Sequence, residues 1–174
     1  GMACVVDAEP INIATPLNSM FLHGGWAHVM GNGIFLWIFG DNVEDSMGRP
    51  RFVFFFLLCG LVAAAVHVAV GPTSAIPMVG ASGAIAGVLG GYLVLYPQAR
   101  IHLLVFLFFY VGVIAVPAWL MLLYWFGLQL VLGLPQLTSG EISAGVAFWA
   151  HIGGFGSGAL LIKLFAKKER IRHA

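Results

Sequence analysis

Residues 79–87 have the sequence Val79-Gly80-Ala81-Ser82-Gly83-Ala84-Ile85-Ala86-Gly87, and they begin an apolar run that continues to Tyr96. One hydroxyl side chain lies here between two glycines. Glycine permits a sharp turn and a close approach by other groups, so Gly80 and Gly83 would support an accessible serine. In a glycine-rich chain, one Gly-x-Ser-Gly taken alone is more typical of helix packing. The rest of the sequence has to decide between these two interpretations.

The composition is that of an integral membrane protein. Of 174 residues, 60% are apolar and 9% are charged, and the mean hydropathy is +0.97. A soluble domain carries about 25% charged residues, so this chain cannot cover a water-facing surface. Its two cysteines, Cys4 and Cys59, fall in a loop and within a span, which predicts neither a disulfide framework nor a metal site.

Five apolar segments predict an all-α membrane protein, a helical bundle with five transmembrane helices. They cover residues 26–39, 52–70, 78–96, 118–132 and 146–165. About 20 residues suffice to cross a membrane, so the apolar stretch 101–133 is too long for one straight helix. Pro117 divides it, and its first part is predicted to lie at the membrane interface.

The basic residues predict the orientation of these spans. All eight lysines and arginines fall on one side of an alternating topology, and the other side holds Asp7, Glu9 and Glu141. By the positive-inside rule, the basic side is cytoplasmic. The chain would then begin outside, so a further span is expected upstream of residue 1.

Three polar sites begin spans that run from the outside to the inside. They are Ser82, His151, and the pair formed by His28 and Asn32. Because a helix rises about 1.5 Å per residue, these sites should share one depth near the outer surface. Polar groups inside a membrane are costly and by default mark function.

A hydroxyl and an imidazole at one depth can act as a nucleophile and its general base. Ser82 and His151 would form such a dyad. No Asp or Glu occurs at their depth in any predicted span, so packing or a neutral group would have to orient the imidazole. Tyr92 lies far along its helix, and His67 and His102, near span ends, are not expected to take part.

His28 and Asn32 are four residues apart and share one helix face. An imidazole and an amide could donate hydrogen bonds to a developing oxyanion, usually the largest catalytic contribution. The alternative is a polar pair that binds neighbouring helices. For His23, in the outer loop, a hydrogen bond within that loop is the simpler interpretation.

Glycines repeat at a spacing of four after each candidate catalytic residue. Gly83, Gly87 and Gly91 follow Ser82, and two further glycines, Gly154 and Gly158, follow His151. Ridges of small residues allow close contact between membrane helices. If the two ridges face each other, the hydroxyl and the imidazole meet at their upper end.

The chain resembles the rhomboid intramembrane serine proteases in three ordered motifs. These are Phe21-Leu22-His23-Gly24-Gly25-Trp26-Ala27-His28-Val29-Met30-Gly31-Asn32, then Gly80-Ala81-Ser82-Gly83, then Ala150-His151-Ile152-Gly153-Gly154 with Gly158. The resemblance covers about residues 16–165. It implies a rhomboid-like bundle with a six-span core, of which five spans are visible and the first would lie upstream.

The resemblance also implies roles for individual residues. Ser82 would be the nucleophile and His151 the general base, while His28, Asn32 and the Ser82 backbone N–H would bind the oxyanion. Supporting residues would be His23, Gly80 and Gly83, with Glu44 in a structural role. The loop at residues 134–145 would correspond to a cap over the active site.

The implied organisation has three parts: an extracytoplasmic loop segment (1–25), a transmembrane catalytic domain (26–166) and a basic cytoplasmic tail (167–174). The protein would be a multi-pass protein of a bacterial or archaeal cell membrane, with the active site open to the extracytoplasmic side. Its partners would be transmembrane protein substrates and the lipid bilayer. No cofactor, metal or nucleic acid is implied.

Three functions are compatible with these features. The favoured one is an intramembrane serine endopeptidase that cuts in or near transmembrane segments. The second is a catalytically inactive rhomboid-like protein that binds transmembrane clients, which the four polar residues together disfavour. The third is a transporter or metal-binding channel using His23, His28 and His151. It is disfavoured because no Cys, Asp or Glu joins these histidines, and metal-bound histidines usually need an acceptor behind them.

Overall fold

The structure, a computed structural model, describes residues 14–72, 78–107, 109–139 and 146–167. Parts of the predicted outer segment, cap loop and basic tail lie outside these ranges. The described elements are α1 (Ala14–Ser19), α2 (Trp26–Phe35), a π-helical segment (Leu36–Gly40), α3 (Asp41–Met47), α4 (Arg49–Val70), α5 (Ser82–Leu95), β1 (Arg100–Leu107), β2 (Tyr110–Pro117), α6 (Ala118–Ser139) and α7 (Phe148–Phe165).

The helical fold class is confirmed in the described ranges. Three helices are long and apolar enough to cross a membrane: α4, α6 over Ala118–Leu137, and α7. Helix α5 is equally apolar but has only 14 residues. It nevertheless lies at the centre of the bundle, because every residue from Gly83 to Tyr92 is buried.

The first predicted span ends later than expected. The helical path continues from α2 through the π-helical segment to Met47, instead of ending near Phe39. It continues because Phe39, Val43 and Met47, spaced by four, stay buried against the core while Asp41 and Asp45 on the other face remain exposed. Gly48, with φ of +87°, then ends the helix.

Helices α5 and α7 pack through their glycines, as the spacing predicted. A Cβ added at Gly154 would overlap the carbonyl of Gly83, and one at Gly158 would overlap the carbonyl of Gly87. The two backbones are therefore in direct contact, which only glycine permits. Gly90, which was not singled out, likewise faces the carbonyl of Phe155.

The first part of the stretch 101–133 forms a β-hairpin. Strands β1 and β2 pair antiparallel, in register from Arg100 opposite Pro117 to Leu107 opposite Tyr110. An interfacial segment was predicted here, and no strand was predicted. The hairpin has a physical basis in its many β-branched and aromatic residues, which favour extended backbone.

Helix α6 is longer than predicted. It runs to Ser139 and contains Pro135, whereas a loop was expected from residue 134. Proline removes one backbone N–H and strains the preceding turn. Here it falls within the last five residues, so that the helix can continue for one more turn. Residues 140–145 of the predicted cap loop lie outside the described ranges.

Candidate active site

The N-terminal ends of three helices hold the predicted site residues. His28 is the third residue of α2, Ser82 is the first of α5 and His151 is the fourth of α7. All three side chains, together with Asn32, line one cavity of about 400 Å³. The structure therefore brings together four polar groups that are far apart in the sequence.

Ser82 and His151 are in hydrogen-bond contact. The Oγ atom of Ser82 lies 2.8 Å from Nε2 of His151, across 69 residues of chain. This is a normal length for a hydrogen bond to a hydroxyl. With the ring proton on Nδ1, Nε2 can accept the hydroxyl proton, which is the geometry that an activated serine nucleophile needs.

Glycine packing sets this contact. Gly83, directly after Ser82, lies so close to α4 that an added Cβ would be 2.7 Å from the Cβ of Ala63. The Gly83 carbonyl in turn lies against Gly154, three residues after His151. The backbones of α5 and α7 therefore touch beside Ser82 and His151. These two side chains cannot move apart unless the helix contact is broken.

Gly80 packs against the other pair of polar residues, His28 and Asn32. Its φ is +109°, and an added Cβ would lie 2.6 Å from Nε2 of His28 and 3.5 Å from Nδ2 of Asn32. The Gly80 N–H donates to the Ser19 carbonyl at 2.9 Å, which ties the turn before Ser82 to the end of α1. His28 and Asn32 therefore pack directly on the turn that leads to Ser82.

The Asn32 side chain has an unused donor. Its Nδ2 atom is buried and has no hydrogen-bond partner among the described residues. Leaving a buried donor unpaired costs about 1–3 kcal/mol, so a native structure normally has a reason for one, such as a catalytic role or a bound water or ion. An oxygen atom in the cavity would satisfy this donor.

Two further predicted residues lie near or away from this cluster. The ring of His23 contacts the ring of His28 edge-on, with centroids 5.1 Å apart, which is compatible with a supporting role. Glu44 accepts a hydrogen bond from Arg49 at 3.2 Å at the junction of α3 and α4, and it does not line the cavity. Its interaction is structural.

Three residues around His151 were not among the predicted site residues. Gln129 on α6 places its Oε1 atom 2.8 Å from Nδ1 of His151. The ring of Trp125, one turn earlier, lies 5.8 Å from the imidazole. His67, which was expected to be unrelated, also lines the cavity, and its buried Nδ1 has no partner in the described part of the chain.

A signal for Gln129 was present in the sequence. It is the one amide within the predicted span 118–132, and polar groups in such spans commonly mark function. Tyr92, the neutral group considered earlier, instead packs edge-on against Phe39 with ring centroids 5.0 Å apart.

Comparison with known proteins shows the family to which the chain belongs. The family model described as "Rhomboid domain" matches residues 10–168. The chain is 38% identical over 89 residues to "Rhomboid protease GluP" of Bacillus subtilis (strain 168), covering 51% of this chain and 16% of that protein. It is 30% identical over 89 residues to "Putative rhomboid protease YdcA" of the same organism, covering 51% of this chain and 43% of that protein.

The matches thus span less than half the length of either relative, and no solved structure matches the chain. The family match, by contrast, extends from before α1 to the end of α7. Together with the apolar helices, it identifies an integral membrane protein that belongs to the rhomboid family.

Proposed function

We propose that this protein is an intramembrane serine endopeptidase, which hydrolyses peptide bonds in or near transmembrane segments of membrane proteins. The observation that carries the proposal is the 2.8 Å contact between Ser82 Oγ and His151 Nε2. It opens onto a cavity whose wall holds the unpaired amide of Asn32. The proteases named among the relatives support the same reaction class.

The proposed reaction follows the general course of serine acyl transfer. Ser82 Oγ attacks the carbonyl carbon of the scissile peptide while His151 Nε2 takes the hydroxyl proton. The tetrahedral intermediate collapses, the C–N bond breaks, and the imidazolium gives its proton to the leaving amine. Water then attacks the acyl-Ser82 ester with His151 as base, and the proton returns to the serine oxygen as the acid product leaves.

Three donors are available for the oxyanion of that intermediate. They are the Asn32 amide, the His28 imidazole and the backbone N–H of Ser82. As the first residue of α5, Ser82 has an N–H group without an intrahelical acceptor. Donors that are fixed before the reaction stabilise developing charge without reorganising.

The dimensions of the bundle support a substrate within the membrane. Helix α5 has 14 residues, and at about 1.5 Å per residue it is roughly 21 Å long. This is shorter than a hydrocarbon core of about 30 Å, so Ser82 would lie below the membrane surface beneath a water-accessible hollow. A substrate helix would enter sideways from lipid and unwind locally, since a helical backbone shields its own carbonyls.

The basic residues support the orientation. Arg49, Arg51, Arg100 and Lys163 follow or close the ends of spans opposite to Ser82. By the positive-inside rule, the site would open to the extracytoplasmic side of a bacterial or archaeal cell membrane.

The test is cleavage of a single-pass substrate reconstituted with the purified protein in liposomes. We expect wild type to cut the substrate and to react with a fluorophosphonate probe, and Ser82→Ala to do neither. Ser157→Ala is the matched control, because Ser157 is a buried serine on α7 whose hydroxyl donates to the Gly154 carbonyl, away from the imidazole. Folded wild type that neither cuts nor reacts would instead favour a client-binding protein without activity.

A further inference from the structure

We infer that Gln129 is a positioning residue for His151, whose side-chain carbonyl holds the imidazole in the tautomer with its proton on Nδ1. This inference rests on the proposed function, because it explains how a base without an acidic partner could be oriented. The contact involved is the 2.8 Å hydrogen bond from Nδ1 of His151 to Oε1 of Gln129.

The first argument is the burial of the amide. Gln129 is 7% exposed and is flanked on α6 by apolar residues, from Phe126 to Leu128 and from Leu130 to Leu132. A buried amide needs a partner, since leaving it unpaired is unfavourable by several kcal/mol in an apolar medium, about 4–8. The conformation in which the amide bonds to the imidazole is therefore strongly favoured over one in which the amide has no partner.

The second argument is the direction of the amide. The Nε2 atom of Gln129 donates to the backbone carbonyl of Trp125, at 3.4 Å. If the amide were reversed, its oxygen would face that carbonyl oxygen, and two acceptors would repel each other. The Trp125 carbonyl thus directs Oε1 towards His151.

The tautomer follows from this direction. An oxygen facing Nδ1 requires the ring proton to be on Nδ1, because a carbonyl only accepts. Nε2 is then unprotonated and faces the hydroxyl of Ser82. The reversed amide would stabilise the other tautomer, in which Nε2 carries the proton and cannot act as a base.

A neutral partner suits this position. The acidic residues in the described ranges, Asp41, Glu44 and Asp45, all lie on α3. An ionised carboxylate within a membrane span is expensive, whereas an amide oxygen orients the ring without carrying charge. The geometry therefore assigns to Gln129 the orienting task that an acid performs in a serine triad.

A neighbouring contact fixes α6 against α7 at the same place. One turn beyond Gln129, the Gly133 carbonyl accepts a hydrogen bond from the indole of Trp149 at 3.0 Å. One turn before it, the ring of Trp125 lies beside the imidazole. Three successive turns of α6 thus contact the start of α7, with Gln129 in the middle.

Gln136 provides a matched control on the same helix. It is 6% exposed, close to the 7% of Gln129, and its Nε2 atom has no hydrogen-bond partner among the described residues. Gln129→Met and Gln136→Met remove the same amide from equally buried sites. Gln129→Glu, as an uncharged carboxylic acid, keeps both functions of the amide, because its O–H can donate to the Trp125 carbonyl and its C=O can accept from Nδ1 of His151.

The experiment measures kcat, KM and fluorophosphonate labelling in liposomes for these variants, after thermal unfolding shows that each is folded. We expect Gln129→Met to lower kcat and the labelling rate about 10- to 100-fold, part of the 10²–10⁴ that a general base contributes. KM should stay within about twofold. Gln129→Glu should recover most of the kcat, and Gln136→Met should match wild type.

A spectroscopic measurement gives an answer that does not depend on activity. The ¹⁵N shifts of the His151 ring, assigned by comparison with His151→Ala, should indicate a protonated Nδ1 in wild type and a mixture of tautomers in Gln129→Met. A protonated Nε2 in wild type would overturn the inference. So would a wild-type kcat in Gln129→Met, or a Gln129→Glu variant no more active than Gln129→Met. Absence of Ser82-dependent cleavage in wild type would refute the proposed function alone, since the ring shifts still report on Gln129.

Discussion

The helix that carries His151, α7, is packed in different ways against α5 and against α6. On the α5 side, glycine backbones touch: Gly83 against Gly154 and Gly87 against Gly158. On the α6 side, the contacts are made by side chains, the amide of Gln129 and the indole of Trp149. Backbone contact fixes the distance between two helices, while side-chain contact fixes how one ring is turned. The two sides would therefore control different features of the proposed catalysis.

The largest effect is expected where the backbones touch. In Gly154→Ala, the new Cβ would overlap the Gly83 carbonyl, and neither backbone can yield as a flexible side chain could. We expect destabilisation at or above the usual overpacking range of about 1–3 kcal/mol and loss of Ser82 labelling. Unfolding in detergent and probe labelling would measure both. Gly156→Ala, on the same helix with nothing within 4 Å of its added Cβ, should be neutral.

The next prediction asks why position 80 requires glycine. The reason could be its positive φ or the closeness of the His28 ring. Gly80→Ala combines an unfavourable φ with a Cβ 2.6 Å from the His28 ring. Gly48→Ala has a similar positive φ, +87°, but nothing within 4 Å. Both should lose about 1–3 kcal/mol of stability through the backbone conformation alone. Only Gly80→Ala should also lower kcat, by more than about 10³-fold, because it displaces two of the proposed oxyanion donors. Equal kcat in the two variants would mean that His28 is not needed at this place.

Asn32→Ala removes one of the proposed oxyanion donors and leaves the glycine contacts between α5 and α7 in place. We expect kcat to fall about 10²- to 10³-fold. Stability should hardly change or should rise, because the variant also removes a buried donor that has no partner among the described residues. Parallel measurement of kcat and thermal unfolding separates the two quantities. Asn42→Ala on α3, where Asn42 is exposed, is the control for asparagine loss. A stability loss without a kcat loss would assign Asn32 to helix packing.

The same contrast explains which features could be predicted from the sequence. Helix periodicity and the four-residue spacing of Gly83, Gly87, Gly154 and Gly158 were enough to predict the α5–α7 contact, because a glycine ridge has few other uses in a span. The shared depth of Ser82 and His151 followed from helix rise and charge placement alone.

The remaining features depend on tertiary structure. Apolar runs of strand length cannot be told from helices by periodicity, and the hairpin over Arg100–Pro117 was therefore missed. The rotation of α6 about its axis, which turns Gln129 towards His151, depends on contacts with Trp149 and the imidazole itself. No local pattern encodes that rotation.

The smallest effect is expected at the side-chain contact between α6 and α7. Trp149→Phe removes the hydrogen bond to the Gly133 carbonyl and leaves the glycine contacts of α7 in place. We expect a loss of about 1 kcal/mol of stability, the net value of an ordinary hydrogen bond. A fall in kcat of a few-fold should accompany it, because α6 can then shift by a small amount and Gln129 holds the imidazole less firmly. In a Gln129→Met background the same substitution should leave kcat unchanged, since no amide is left to misalign. If Trp149→Phe lowers kcat equally in both backgrounds, the indole acts on the site by another route than Gln129.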